Sequence, residues 1–135
     1  MKKPSKDVYI DIDGVVLTKG VVPAAHLDIL LKHILSKYSV SWLTSRCSGD
    51  SISTIAYLSQ FLPQESMALV KRIKPTAFRL DKTEAIDFHR KFFWLESELF
   101  ASEEIVLKKY GKYDSWIPVN LVDNPNQLLE ISKSI

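Results

Sequence analysis

Five short apolar runs, at residues 8–12, 39–43, 67–70, 92–95 and 119–122, alternate with segments whose apolar residues recur at helical spacing. Few folds accommodate that alternation. A strand that leads through a helix to another strand packs back on the first as a right-handed crossover. The expected product is a parallel sheet with helices on its faces. Pro23 is placed to open a first helix, with Leu27, Leu30, Leu31, Ile34 and Leu35 forming one stripe to about Lys37. A second helix is predicted over 51–61, with Ile52, Ile55, Ala56 and Leu58 on one face, and Pro63 stops it. A third is predicted from Lys82 to about His89, and a more polar one from Ser97 or Glu98 to about Tyr110. The last carries Leu128, Leu129 and Ile131 inward, with Asp123 or Asn124 as its cap and Pro125 in its first turn. Residues 15–22 read as a flap and 71–80 as a basic loop. The expectation is one α/β, Rossmann-like domain over residues 1–135, preceded by a basic tail at 1–6.

Composition narrows the function classes. The net charge is +2, from 18 Lys and Arg against 16 Asp and Glu, so no overall basic field points to a nucleic-acid partner. No stretch is long and apolar enough to span a bilayer, so no membrane partner is expected. Asp7, Asp11 and Asp13 interrupt the apolar run after the basic start, which argues against a secretion signal. The lone cysteine, Cys47, allows no disulfide within the chain and suits a reducing, cytoplasmic setting.

In folds of this class ligands sit beyond the carboxyl ends of the strands. The first strand delivers Asp11 and Asp13 there, and the second Thr44, Ser45 and Arg46. The run at 92–95 delivers Glu96, Ser97 and Glu98, and Lys82 leads the segment just before it. Carboxylates, a hydroxyl and a lysine at one sheet edge suit phosphoryl transfer. A phosphate ester repels nucleophiles by its own charge, and cations must neutralise that charge. Asp11 can then attack phosphorus to form an aspartyl-phosphate. Asp13, two residues on, can protonate the leaving oxygen and later deprotonate water. Gly14 allows the chain to turn away from the strand.

Taken singly these residues are ordinary turn, cap and helix residues; their order gives them weight. Val8-Tyr9-Ile10-Asp11-Ile12-Asp13-Gly14-Val15-Val16-Leu17 resembles the first motif of the haloacid dehalogenase-like (HAD) phosphatase superfamily. Ser41-Trp42-Leu43-Thr44-Ser45-Arg46 resembles its second motif. Lys82 fits the third, and Phe93-Trp94-Leu95-Glu96-Ser97-Glu98 stands in the position of the fourth. The resemblance implies Asp11 as nucleophile, Asp13 as general acid and base, and Thr44 as a hydrogen-bond donor to the phosphoryl group. It implies that Lys82 holds the nucleophile and the phosphoryl charge. It further implies Mg²⁺ on the Asp11 carboxylate, the Asp13 backbone carbonyl and Glu96, with Glu98 as a supplementary ligand. Aspartates are usual at the fourth motif, and here the residues are Glu96, Ser97 and Glu98. Asp123 is an alternative ligand.

The chain between Asp11 and Thr44 has room for one helix, and that between Thr44 and Lys82 for a helix, a strand and a loop. No cap domain fits in either, so the resemblance is to capless members, whose sites are open and whose phosphorylated substrates are often macromolecular. Arg46 is placed to clamp a phosphate beside Ser45, or to form a surface ion pair. Two other readings stay open. One is a catalytically degenerate HAD-like domain that binds phosphate or a protein partner. The other is a polynucleotide-end phosphatase, for which Lys71, Arg72 and Lys74 would contact the backbone. Cys47 lacks the arginine six residues on that a cysteine phosphatase loop needs, since position 53 is Ser53. His26, His33 and His89 share no ligand spacing, and Trp42, Trp94 and Trp116 read as packing residues.

Overall fold

The computed structural model describes residues 4–135; of the basic tail read at 1–6, positions 1–3 lie outside the described residues. Lys6 already belongs to the first strand, β1 (Lys6–Ile10). Val8 and Ile10 point to one face of the sheet and Tyr9 to the other, as strand geometry requires, and all three are buried. Burial on both faces explains why the run is continuously apolar rather than alternating.

Beyond β1 come α1 (Leu27–Lys37), β2 (Ser39–Trp42), α2 (Ile52–Leu58) and α3 (Gln64–Val70). Next are β3 (Lys91–Glu96), α4 (Ala101–Lys109), β4 (Trp116–Pro118) and α5 (Gln127–Ser134). Single 3-10 turns lie at Lys82–Ala85 and Tyr113–Ser115. The four strands run parallel in the order β2-β1-β3-β4. Val8, Ile10 and Val40 join α1, α3 and α5 in the larger core cluster. Tyr9, Phe92, Trp94 and Leu107 form a smaller one under α4 and the segment 82–88. The fold is therefore α/β, a single parallel sheet covered on both faces. No helix among the described residues is long and apolar enough to cross a membrane.

Three expected elements differ. Residues 67–70 form the end of helix α3 rather than a strand: Ser66, Met67 and Val70 are the buried positions, at helical spacing behind Pro63. Lys74 takes the neighbouring place beside β2, donating its backbone N–H to Val40 and accepting that of Trp42. The last strand is Trp116–Pro118, not 119–122, although Val119 still donates to the Glu96 carbonyl at 3.1 Å. The helix expected from Lys82 to His89 is only one 3-10 turn.

From β1 the chain goes to β2 on one side and later to β3 on the other. The carboxyl ends of β1 and β3 thus flank a topological switch point, where ligands bind in such sheets. Between β1 and β2 lie only a hairpin tip and α1, and between β2 and β3 only short helices and loops.

Candidate active site

Asp11 directly follows β1, and its backbone N–H donates to Leu95 of β3 at 3.2 Å, which ties it to the switch point. The next turn is tight. Ile12 offers one carbonyl to the amides of Val15, Val16 and Leu17, while the Ile12 amide donates to the Asp11 carboxylate at 2.8 Å. Gly14 has φ 84 and lies so close to Ser97 that an added Cβ would sit 3.3 Å from its Cβ and Oγ. The backbone angle favours glycine there, and any larger residue would also push Ser97 aside by a few tenths of an ångström.

Glu96 ends β3 and is 3% exposed; Asp11 is 7% exposed. Lys82 reaches between them from its 3-10 turn. Its ammonium lies 3.2 Å from Asp11 Oδ2 and donates to Glu96 Oε1. The other Glu96 oxygen accepts from the Ser97 amide at 3.0 Å. Burial, then the neighbouring Asp11 carboxylate, pushes the Glu96 carboxyl up to about 9, against the opposing pull of Lys82. Burial alone would lower Lys82, but the charges of Asp11 and Glu96 outweigh it and its net shift is upward. One ammonium beside two buried carboxylates leaves the cluster a charge short. A proton on Glu96 restores neutrality, so its carboxyl is held in the upward direction.

Lys82 is itself held. Its backbone N–H donates to the Glu103 carboxylate at 3.0 Å, and the other oxygen of Glu103 accepts from Phe100 at 2.9 Å. Glu103, 2% exposed, thus fixes the lysine turn from α4. Sequence reasoning missed it. The only signal was an acid at the third position of a helix, half of a capping box, and Phe100 hid the other half.

Thr44, fully buried after β2, accepts the Arg46 amide at 3.3 Å. Arg46 projects outward, its guanidinium donating to Asp13 Oδ2 at 2.8 Å and Oδ1 at 3.3 Å. Its flat face lies over Tyr57, 3.9 Å from the ring centroid. Asp13 is therefore turned toward Arg46 rather than toward Lys82. Ser45 and Glu98 are exposed.

A cleft of about 760 Å³ opens beside Asp13 and Gly14, between the tip at 18–21 and the loop at 119–123, with Ser97 and Glu98 on its wall. The loop residue Asp123, expected as a helix cap or a ligand, instead accepts the Asn120 side-chain amide at 2.9 Å. Helix α5 starts later, at Gln127. So Asp11, Glu96 and Lys82 converge, Asp13 pairs with Arg46 at the cleft mouth, and Glu98 stands apart on its wall. Among the described residues no group of three or more acidic, histidine or cysteine side chains is placed to hold a metal ion. Lys74, from the basic loop, donates to Ser39 at the start of β2, the opposite end of that strand from Thr44. No protein-family model, curated protein or solved structure matches the chain.

Proposed function

We propose that the chain is a Mg²⁺-dependent phosphomonoester hydrolase of the capless HAD-like type, working through an aspartyl-phosphate on Asp11. The observation that carries this is Lys82 set between the buried carboxylates of Asp11 and Glu96 at the carboxyl ends of β1 and β3. A salt-bridged lysine buried for stability alone would be a poor bargain, because desolvation offsets most of the attraction. At a switch point it has a use: it neutralises the nucleophile and then the transferring phosphoryl group.

The donor set also suits a hard divalent cation. Two buried carboxylates lie side by side with one cation between them, and Mg²⁺ is commonly bound through one or two carboxylates with water and substrate oxygens. Asp11, Glu96 and the Asp13 backbone carbonyl would hold it, with Glu98 within the same loop. When bound, it supplies positive charge for the phosphoryl oxygens.

In the proposed reaction Asp11 attacks phosphorus and the bond to the leaving oxygen breaks. Asp13 gives that oxygen its proton, for which it exchanges the Arg46 pair for the substrate. Water then attacks the aspartyl-phosphate, Asp13 takes the water's proton, and Asp11 and inorganic phosphate are released. Thr44 and Ser45 stand at the end of β2 to bind phosphoryl oxygens. The test is turnover of an aryl phosphate with Mg²⁺ and its loss in Asp11→Asn. Turnover that survives in that variant, or none on a broad panel of phosphomonoesters, refutes the proposal.

One observation favours a second reading, a domain that binds phosphate or a partner without turnover: Asp13 is engaged by Arg46, and no third acidic side chain joins Asp11 and Glu96. Beryllium fluoride with Mg²⁺ separates the two. An active aspartyl-phosphate site is stabilised by the pair together, and a degenerate one is not. The polynucleotide-end reading gains nothing from Lys74, which turns to Ser39.

A further inference from the structure

From the cleft beside Asp13 we infer that the leaving group is an uncharged, hydroxyl-rich alcohol, as in a sugar phosphate or the phosphorylated end of a glycan. This deepens the phosphatase reading and rests on it. The cleft, about 760 Å³, is contiguous with Asp13 and Gly14, so it is where the alcohol half of an ester on Asp11 would extend. Its volume lies within the range of small-molecule sites and is ample for a sugar ring.

The charge of the wall selects among alcohols. Among the described residues that line it, Lys19 is the only cation, against the carboxylates of Asp13, Glu98 and Asp123. Arg46 offsets Asp13 from outside the cleft, leaving Glu98 and Asp123 against Lys19. A leaving group that is itself polyanionic, such as a nucleic-acid strand, meets a net negative wall and is disfavoured. Carboxylates are acceptors only, so the exposed Glu98 and the Asp123 oxygen that Asn120 does not hold can take donors from a ligand. Hydroxyls provide them, and the side chains of Thr18, Ser97 and Asn120 can pair with the same groups from the other walls. Val21, Leu121 and Val122 add apolar surface at the rim, which suits the C–H faces of a ring.

The test compares an aryl phosphate, a hexose phosphate, ethanolamine phosphate and a phosphorylated oligodeoxynucleotide as substrates with Mg²⁺. Binding of the last three to the Asp11→Asn protein is measured by calorimetry in parallel. The hexose phosphate is expected to exceed the oligonucleotide in kcat/KM by about tenfold or more. Asp123→Lys and, separately, Val122→Lys are expected to narrow that ratio by about tenfold. Val122 is exposed, so its variant tests charge without touching a buried group. An oligonucleotide used as well as the hexose phosphate, or a ratio unmoved by both variants, overturns the inference while aryl phosphate turnover preserves the enzyme. A preference for ethanolamine phosphate overturns it in favour of a cationic leaving group. If no ester is turned over, the enzyme reading fails and calorimetry decides. Tighter binding of the hexose phosphate than of the other two upholds the inference, and any other order, or no binding, overturns it.

Discussion

Arg46 donates to both carboxylate oxygens of Asp13 while its guanidinium lies 3.9 Å from the Tyr57 ring centroid. The side chains are 38% and 52% exposed, so the pair contributes at most about 1 kcal/mol to folding. Its value is positional: a planar fork stacked on an aromatic ring holds the proposed proton carrier at the cleft mouth, from which it turns to the substrate. Arg46→Ala and Arg46→Lys are both expected to lower kcat about tenfold or more with little change in melting temperature. Lysine keeps the charge but not the fork or the stack, so rescue by Arg46→Lys would show that charge alone suffices. Kinetics and thermal melts of the two variants decide this.

Lys82 poses the opposite case, because its partners are buried. Removing it leaves the buried Asp11 carboxylate beside Glu96 with no cation. Lys82→Met is expected to destabilise the metal-free protein by about 3 kcal/mol, measured by urea unfolding. Adding Asp11→Asn removes the uncompensated charge and should recover part of that loss. If the double variant is no more stable than Lys82→Met alone, the Lys82–Asp11 pair does not carry the loss. Both variants should be inactive, since Lys82 is proposed to serve the phosphoryl group as well.

The same cluster sets a pH dependence. The Glu96 carboxyl, ordinarily near 4.5, stands at about 9 in the folded protein. Between those values the folded state holds a proton that the unfolded chain releases, so stability falls as pH rises through the window. Lys82, raised, contributes stability that persists below its ordinary value of 10.5 and is lost only above it, so it leaves this window alone. Glu84 is shifted down by the amides of Asp81, Arg79 and Leu80, so its contribution is lost only at acid pH below its ordinary range. The metal-free protein should therefore unfold at lower urea at about pH 8.5 than at about pH 6, and Glu96→Gln should flatten the slope. Mg²⁺ bound as proposed would compete with that proton, so its stabilising effect should grow with pH.

What the sequence made legible follows the strength of local signals. Val8 to Gly14 combines a β-branched run, a pair of aspartates and a glycine, and each constrains the backbone by itself; the strand, the turn and the position of Asp11 all came from it. The convergence of Glu96 and Lys82 was readable from strand order. Residues 67–70 were not, because a short apolar run fits a strand or a buried helix equally well, and only tertiary contacts with α1 decide for helix. The Arg46–Asp13 pair was hidden for a different reason. A residue at the end of β2 meets one at the end of β1 only once the strands are in register, so Arg46 could be read as a phosphate clamp or a surface ion pair but its partner Asp13 could not be named. The wall formed by Asn120 and Asp123 was obscured by reading 119–122 as strand.

The tip of the cleft stores strain that a substitution can release. Val21 has φ 52, a conformation that a β-branched residue adopts at a cost of about 1 to 3 kcal/mol. It closes a hairpin in which Thr18 donates to the Val22 carbonyl at 2.8 Å and accepts the Val21 amide at 2.9 Å. Its side chain is 41% exposed, so little packing is lost on removing it. Glycine adopts this angle freely but adds about 0.5 to 1 kcal/mol of unfolded-state entropy. Val21→Gly is therefore expected to stabilise the protein by about 0.5 to 1 kcal/mol in urea unfolding. Val22→Gly, at the exposed neighbour whose φ is not positive, provides the contrast: it gains the entropy cost without relief and should destabilise. If the two variants shift the midpoint alike, Val21 is not strained. The strained residue also lines the cleft, so the relaxed tip should bind the alcohol half of the substrate less well. KM for a hexose phosphate is then expected to rise in Val21→Gly, with kcat for an aryl phosphate less changed.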